Sequence, residues 1–292
     1  MTKQDIRKRL LEIYNETPGN IIDEEHADYP EVIGLKIYDE PLIGFGSADD
    51  CLFEKYKEPG IVGPWMLAPK EWLASAETVI SVFFPFTKRV KESNALMTDI
   101  ASHEWAYGRI EGQIFINSCM AALAEWFAEN GEEAIMPAGD SRFFALTYGK
   151  KKGAAATSKS AAELYPGADE NTFSSSWSER HAAFVCGLGT FGLSRGLITE
   201  KGMAGRFGSI IVSTKIEADV RPYKEVYEYC IKCGKCADNC PAKAFPVRGE
   251  IKVQSICEPH VGKTAQILKP RYGCGLCQVG TPCQDGIPAA DK

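Results

Sequence analysis

CIKCGKCADNCP, residues 230–241, sets four cysteines at C-x2-C-x2-C-x3-C and follows the last with proline. At this spacing three thiolates wrap one corner of a cubane iron–sulfur cluster, while the fourth leaves on the next helical turn and serves a second cluster. A second cysteine set is therefore expected, and Cys257, Cys274, Cys277 and Cys283 supply it. The arithmetic closes with Cys230, Cys233, Cys236 and Cys283 around one [4Fe–4S] site. Cys240, Cys257, Cys274 and Cys277 then surround the other. Structural zinc is the competing reading of C-x2-C pairs, but zinc sites use separated pairs and need no triplet closed by Cys-Pro.

Working outward, eight of the eleven cysteines lie at or beyond Cys230. The other three, Cys51, Cys119 and Cys186, fall on apolar or helical stretches and read as buried structural thiols. A disulfide framework would suit a secreted chain, whereas MTKQDIRKRLLEIYNE at the start carries charge on every turn and no apolar signal core. No uncharged apolar run reaches the roughly 18 residues of a membrane span. With 45% apolar and 25% charged residues, the composition is that of a soluble globular protein, expected to be cytoplasmic. The net charge of −6 divides into +3 from Lys224 onward and −9 over the first 222 residues. Neither part has the basic footprint of a nucleic-acid protein. The basic run GKKKGAAATSKS, residues 149–160, reads as a solvated loop.

Periodicity predicts an amphipathic helix at residues 5–16, with Ile6, Leu10 and Ile13 on one face. AETVISVFFPFT (76–87) is apolar on both faces and stopped by Pro85, as in a buried central strand. GQIFINSCMAALAEWFAENG (112–131) predicts a long, largely buried helix closed by Gly131. Further strands are expected at 132–140 and 205–214. SSSWSERHAAFVCG (174–187) predicts a helix with Ser176 as N-cap and Glu179 completing a capping box. This pattern describes a mixed helix-and-sheet domain over residues 1–222. Residues 223–292, rich in Cys, Gly and Pro, should lack long regular elements and need metal to fold.

Gly187, Gly189 and Gly192 fit G-x-G-x-x-G, but they follow a helix and lead into the extended-looking LSRGLIT. A dinucleotide site needs the reverse order, strand before and helix after. What remains is backbone that turns tightly and admits close approach of a bulky ligand.

SERHAAFVCGLGTFGLSRGLIT, then GRFGSIIVST, then the cysteine module is an order that resembles the epoxyqueuosine reductases and corrinoid-dependent reductive dehalogenases. The resemblance covers about residues 70–292. It implies an α+β fold: a nitroreductase-like α/β domain followed by a small ferredoxin-like two-cluster domain. It also implies a corrinoid (cobalamin) cofactor, with a flavin as the lesser option, contacted by Gly187, Leu188, Gly189, Gly192 and Arg195. An upstream acid of the reductases has no counterpart without a shift to Asp169, because Phe173 and Ser174 stand at that position. Thr190 replaces the usual tryptophan of the loop. The dehalogenase alternative is a tyrosine beside a basic residue. Tyr107, Tyr148 and Tyr165 are the candidates, with Arg109, Arg142 or Arg195 as the neighbour; Tyr107, Tyr148 and Arg142 are the favoured catalytic set.

The function so implied is an oxidoreductase that passes electrons through two clusters to a corrinoid. A low-potential ferredoxin or flavodoxin-like donor and a small-molecule substrate or corrinoid protein would be its partners, with neither membrane nor nucleic acid. The alternative is an electron-transfer protein that reduces or reactivates a partner corrinoid or flavin protein.

Overall fold

The computed structural model describes residues 1–147, 150–153, 161–165, 167–169 and 172–289. Helix α1 (Lys3–Glu16) starts at a capping box, in which the Asp5 amide donates to the Thr2 hydroxyl and the Thr2 amide donates to the Asp5 carboxylate. Its buried face carries Ile6, Leu10, Ile13 and Tyr14, as helical spacing requires. There follow β1 (Leu42–Ser47), α2 (Cys51–Lys55), α3 (Pro69–Trp72), β2 (Thr78–Pro85), α4 (Lys88–Ala95) and the long α5 (His103–Glu129). Next come β3 (Ala134–Ile135), β4 (Phe144–Thr147), β5 (Lys150–Gly153), α6 (Ala161–Leu164), β6 (Ser174–Ser175) and α7 (Glu179–Val185). The hairpin β7 (Gly189–Phe191) and β8 (Leu197–Thr199) leads to β9 (Gly205–Val212), and α8 (Lys235–Asp238) and α9 (Gln254–Ile267) lie in the cysteine region.

The main sheet has the order β1-β2-β9-β3, antiparallel throughout. All eight residues of β2 are buried. Their alternation explains why both faces are apolar: Ile80, Val82 and Phe84 join the core built on α1 and α5, while Val79 and Phe83 turn toward α7. Helices thus cover both faces of the sheet. Among the described residues no helix is long and apolar enough to cross a membrane.

Several elements depart from expectation. Helix α5 begins well before residue 112, because the Ser102 hydroxyl accepts from the Trp105 amide and sets an earlier N-cap. It buries one side, including Phe115, Cys119, Leu123 and Phe127, and leaves Ile114 exposed. Of residues 132–140 only Ala134–Ile135 is extended, since Pro137 opens a 3-10 turn. Ser178 rather than Ser176 precedes α7; the Ser176 hydroxyl accepts from the Phe144 amide (3.0 Å). In the cysteine region α9 is a full 14 residues, longer than the composition led us to expect. Cys119 and Cys186 are buried, but Cys51 is exposed at the start of α2. The basic run at 149–160 falls largely outside the described residues.

Candidate functional site

Chain packing accounts for the first glycines of the loop after α7. Gly187, with φ of 80°, lets its amide donate to Phe184 O and the Leu188 amide to Ala183 O, the paired bonds of a Schellman turn. At Gly189 a Cβ would stand 1.9 Å from Ile198 O across the β7–β8 hairpin. Leu188 packs where a side chain on Gly44 would fall. Of the five residues expected to contact a cofactor, Gly192 and Arg195 border cavities.

The cavity at Gly192 has Leu193, Ile198 and Met203 on one side and Cys230, Cys233, Cys236 and Cys283 on the other. It holds about 350 Å³ of space free of atoms, part of it open to solvent. Left-handed backbone at Lys232 (φ 52°) and Gly234 (φ 76°) turns the chain between the cysteines. Burial first, then the sulfurs of Cys277, Cys283, Cys230 and Cys233, push the Cys236 thiol up to about 12. Burial likewise pushes Cys274 up to about 12, with Cys277, Cys257 and Cys240 as its sulfur neighbours. Cys257 is raised by burial and then by Cys277 and Cys240. The eight thiols therefore fall into two neighbourhoods that meet at Cys236 and Cys277. Among the described residues no three His, Cys, Asp or Glu side chains gather closely enough to hold a single ion.

The region is fastened to the sheet domain by backbone and side-chain bonds. The Met203 amide donates to Cys283 O, and Asn94 Nδ2 donates to Cys274 O. Arg271, 5% exposed, reaches Glu111 on α5 (Nε–Oε1 2.7 Å) and Asp28. His260 Nε2 pairs with Asp99 O at 2.8 Å.

Across loop 192–196 from the sulfur-lined cavity lies a wider cleft, bordered by Val62, Trp65, Thr172, Phe173, Ser174 and Arg195. It has about 650 Å³ of atom-free space, partly open to solvent. Asp169 closes a turn with Thr172, and Ser174 Oγ accepts from Trp65 Nε1 (2.8 Å). Arg195 adopts φ of 63° and donates from Nε to Lys252 O. Behind it lie further guanidiniums. Arg180 is open to solvent-sized space, yet burial and then repulsion from Arg109 and Arg195 hold it below the usual arginine pKa, against the pull of Cys277. Arg206 is lowered to about 10 by burial, with Arg109 and Arg180 adding repulsion. Beside them His181 is driven down to about 4 by burial, then by Arg180 and Arg195. Its ring lies between Tyr56 and Phe191, and its Nδ1 pairs with Ser178 Oγ at 2.7 Å.

Tyr107 and Arg142 of the favoured catalytic set each serve contacts of their own. Tyr107 is fully buried: its hydroxyl donates to His26 O, accepts from the Asp28 amide, and its ring lies 3.5 Å from the Arg271 guanidinium. It is a structural member of the Arg271 contact, because both hydroxyl bonds are used. Arg142 is held by Asp140 and by the carbonyls of Glu71 and Trp72, pinning a loop. Tyr165 stacks on Phe144. Tyr148 lies outside the described residues. A tyrosine beside a basic residue exists elsewhere: Arg109 lies 4.4 Å over the ring of Tyr272, two residues before Cys274.

A model of a 4Fe-4S binding domain matches residues 223–245, which include Cys230, Cys233, Cys236 and Cys240. Among solved structures, epoxyqueuosine reductase from Bacillus subtilis superposes with a TM-score of 0.51 at 16% identity, covering 98% of this chain and 67% of that one. The fold is that of the epoxyqueuosine reductases. The Streptococcus thermophilus reductase gives 0.50 at 17% identity, over 99% of this chain and 68% of its own. A catabolic reductive dehalogenase in complex with 3-bromo-4-hydroxybenzoic acid gives 0.51 at 11%, over 98% and 37%. A search of curated protein sequences finds no match.

Within the epoxyqueuosine reductase fold, sequence reasoning missed the Arg206–Gln113 and Arg109–Tyr272 contacts and the neighbouring Arg180. One signal was available: Arg206 is a charge inside a strand that otherwise reads as buried, and a buried charge needs a reason.

Proposed function

We propose that the chain is an iron–sulfur reductase in which two [4Fe–4S] clusters carry electrons to a redox cofactor in the cleft beside Arg195. Cys230, Cys233, Cys236 and Cys283 would hold the first cluster, and Cys240, Cys257, Cys274 and Cys277 the second. The donor chemistry fits, since four thiols line one apolar-walled cavity and the remaining four share a second neighbourhood. The observation that carries the reading is the cavity at Gly192, lined by Cys230, Cys233, Cys236 and Cys283, whose bordering loop continues into Arg195 at the cleft. Exposed Cys233 marks the solvent end of this line, suited to a ferredoxin or flavodoxin-like donor.

The cleft offers an apolar face to a cofactor: Trp65 and Phe173 stand in its wall, and loop 192–196 borders both it and the first sulfur-lined cavity. With the reductases and dehalogenases as fold neighbours, a corrinoid is the cofactor of choice, in a nitroreductase-like domain over residues 1–222 joined to a cluster domain over 223–292. When bound, a corrinoid supplies a cobalt centre that accepts single electrons and reduces substrate. The chain's part is to exclude water with Trp65 and Phe173, to fix Arg195 through Lys252 O, and to keep His181 neutral near the cofactor. The substrate would be a small molecule.

Anaerobic reconstitution tests the reading. About eight irons per chain are expected, with an absorption band that dithionite bleaches, and hydroxocobalamin should bind at micromolar concentration. Four irons, or no binding of cobalamin or flavin, would overturn it. Cobalamin reduction with no turnover of any small substrate would favour the electron-transfer alternative.

A further inference from the structure

Arg195 borders the cleft, and near it stand Arg109, Arg180 and Arg206, for which no carboxylate partner is found among the described residues. Arg109 and Gln113 stand one turn apart on α5. Gln113 Oε1 accepts from Arg206 Nε (2.9 Å) and Nη2 (2.7 Å), so Arg206 is positioned by a neutral group. Arg109 lies over Tyr272, and its buried Nε has no hydrogen-bond partner. Among the described residues, none of Arg109, Arg180, Arg195 and Arg206 forms an ion pair with Asp or Glu. Arg271 shows the contrast, paired with both Glu111 and Asp28. Cys277 acts on Arg180, but no cysteine acts on Arg206. Like charges gathered without an opposite charge repel one another, and an anion set among them relieves that repulsion. Gln113 fixes the Arg206 fork in a defined direction, a preorganisation that serves a ligand rather than the fold.

We infer that Arg109, Arg180 and Arg206 form a binding site for a small organic oxyanion, a carboxylate or a phosphate ester. Resting on the reductase reading, this makes the substrate an anionic molecule, held by its charged end while the reducible part faces the cofactor. The guanidinium fork matches either oxyanion through paired N–H bonds.

The test uses the cluster-loaded full chain, titrated calorimetrically with benzoate, phenyl phosphate and inorganic phosphate against chloride at constant ionic strength. One-to-one saturable binding of at least one probe is expected. It should weaken about tenfold or more in Arg206→Gln and in Arg109→Gln, and stay unchanged in the surface variant Lys88→Gln, with iron content equal in all. In the wild type the bound probe should raise the thermal midpoint, a readout independent of any variant's folding. No saturable heat with any probe, or equal binding by the arginine variants, overturns the inference. So does loss of probe binding on saturation with cobalamin, which would make the arginines part of the cofactor's seat, or tight binding of an RNA stem-loop that phenyl phosphate does not displace. Cobalamin binding on the same preparation is scored separately. Anion binding without cobalamin would remove only the corrinoid reading, and cobalamin without anion binding only this one.

Discussion

The central sheet and the cysteine region are held together by different forces. Strand β2 buries every side chain, and helices on both faces give it two apolar cores. Residues 223–289 bury few large apolar side chains, with Phe245, Leu268, Leu276 and Val279 among them. Their folded form gathers thiols, among which burial and neighbouring sulfurs push Cys236 and Cys274 up to about 12. The sheet is specified by its own hydrophobic pattern; the cysteine region is specified by what its thiols are arranged to bind.

Removal of iron should break that comparison most visibly. Chelation under reducing conditions is expected to unfold residues 223–289, seen as loss of hydrogen-exchange protection in α9, while β2 and β9 keep theirs. Equal loss in both regions would mean that the sheet, too, depends on the clusters. Within the region the two cysteine sets can be separated. Cys240→Ala should leave the first cluster's signal and lose the second, because that thiol neighbours Cys274 and Cys257.

The fastening between the two regions is the next largest effect. Arg271 is buried against Glu111 and the Tyr107 ring. Arg271→Ala should cost about 3 kcal/mol of stability, since it leaves a half-buried carboxylate without its partner. Denaturant midpoints would measure this, and a loss below about 1 kcal/mol would show the contact to be incidental. Gly189→Ala should follow, at about 2 kcal/mol by overpacking against Ile198 O. Its loss should be the same with and without cobalamin, because hairpin packing explains that glycine.

These effects also mark where the sequence was legible. The iron–sulfur character of residues 223–245 was plain in the cysteine spacing, since a cluster module's ligands follow chain order. Strand β2 was plain because burial on both faces leaves no polar alternation to read. The cleft was not legible. Arg109, Arg180 and Arg206 come from α5, α7 and β9, and only the antiparallel order of the sheet brings them together. Tyr107 beside Arg109 was adjacent in sequence but faces Arg271 and Asp28, whereas Tyr272, far along the chain, takes Arg109 on its ring. Adjacency on a helix places neighbours on different faces; a distant loop supplied the real partner.

The smallest expected effect compares two neighbouring residues of α7 across pH. Glu179 has both carboxylate oxygens buried, and burial raises it from 4.5 to about 7, offset in part by side-chain hydrogen bonds from Ser209 and Trp177. The folded state therefore favours the protonated acid. Its contribution is complete below pH 4.5 and is lost as pH rises toward 7, by roughly 2 kcal/mol. His181 runs the other way. Burial and the facing guanidiniums of Arg180 and Arg195 lower it from 6.5 to about 4, so its contribution is complete above pH 6.5 and is lost as pH falls toward 4. Between pH 4.5 and 6.5 the two slopes oppose, and wild-type stability should be nearly flat. Glu179→Gln should uncover the histidine, giving a stability that climbs with pH through this window; His181→Asn should uncover the acid, giving one that falls. Parallel profiles for the two variants would mean that neither group is desolvated, and the depth of the cleft behind α7 would have to be redrawn.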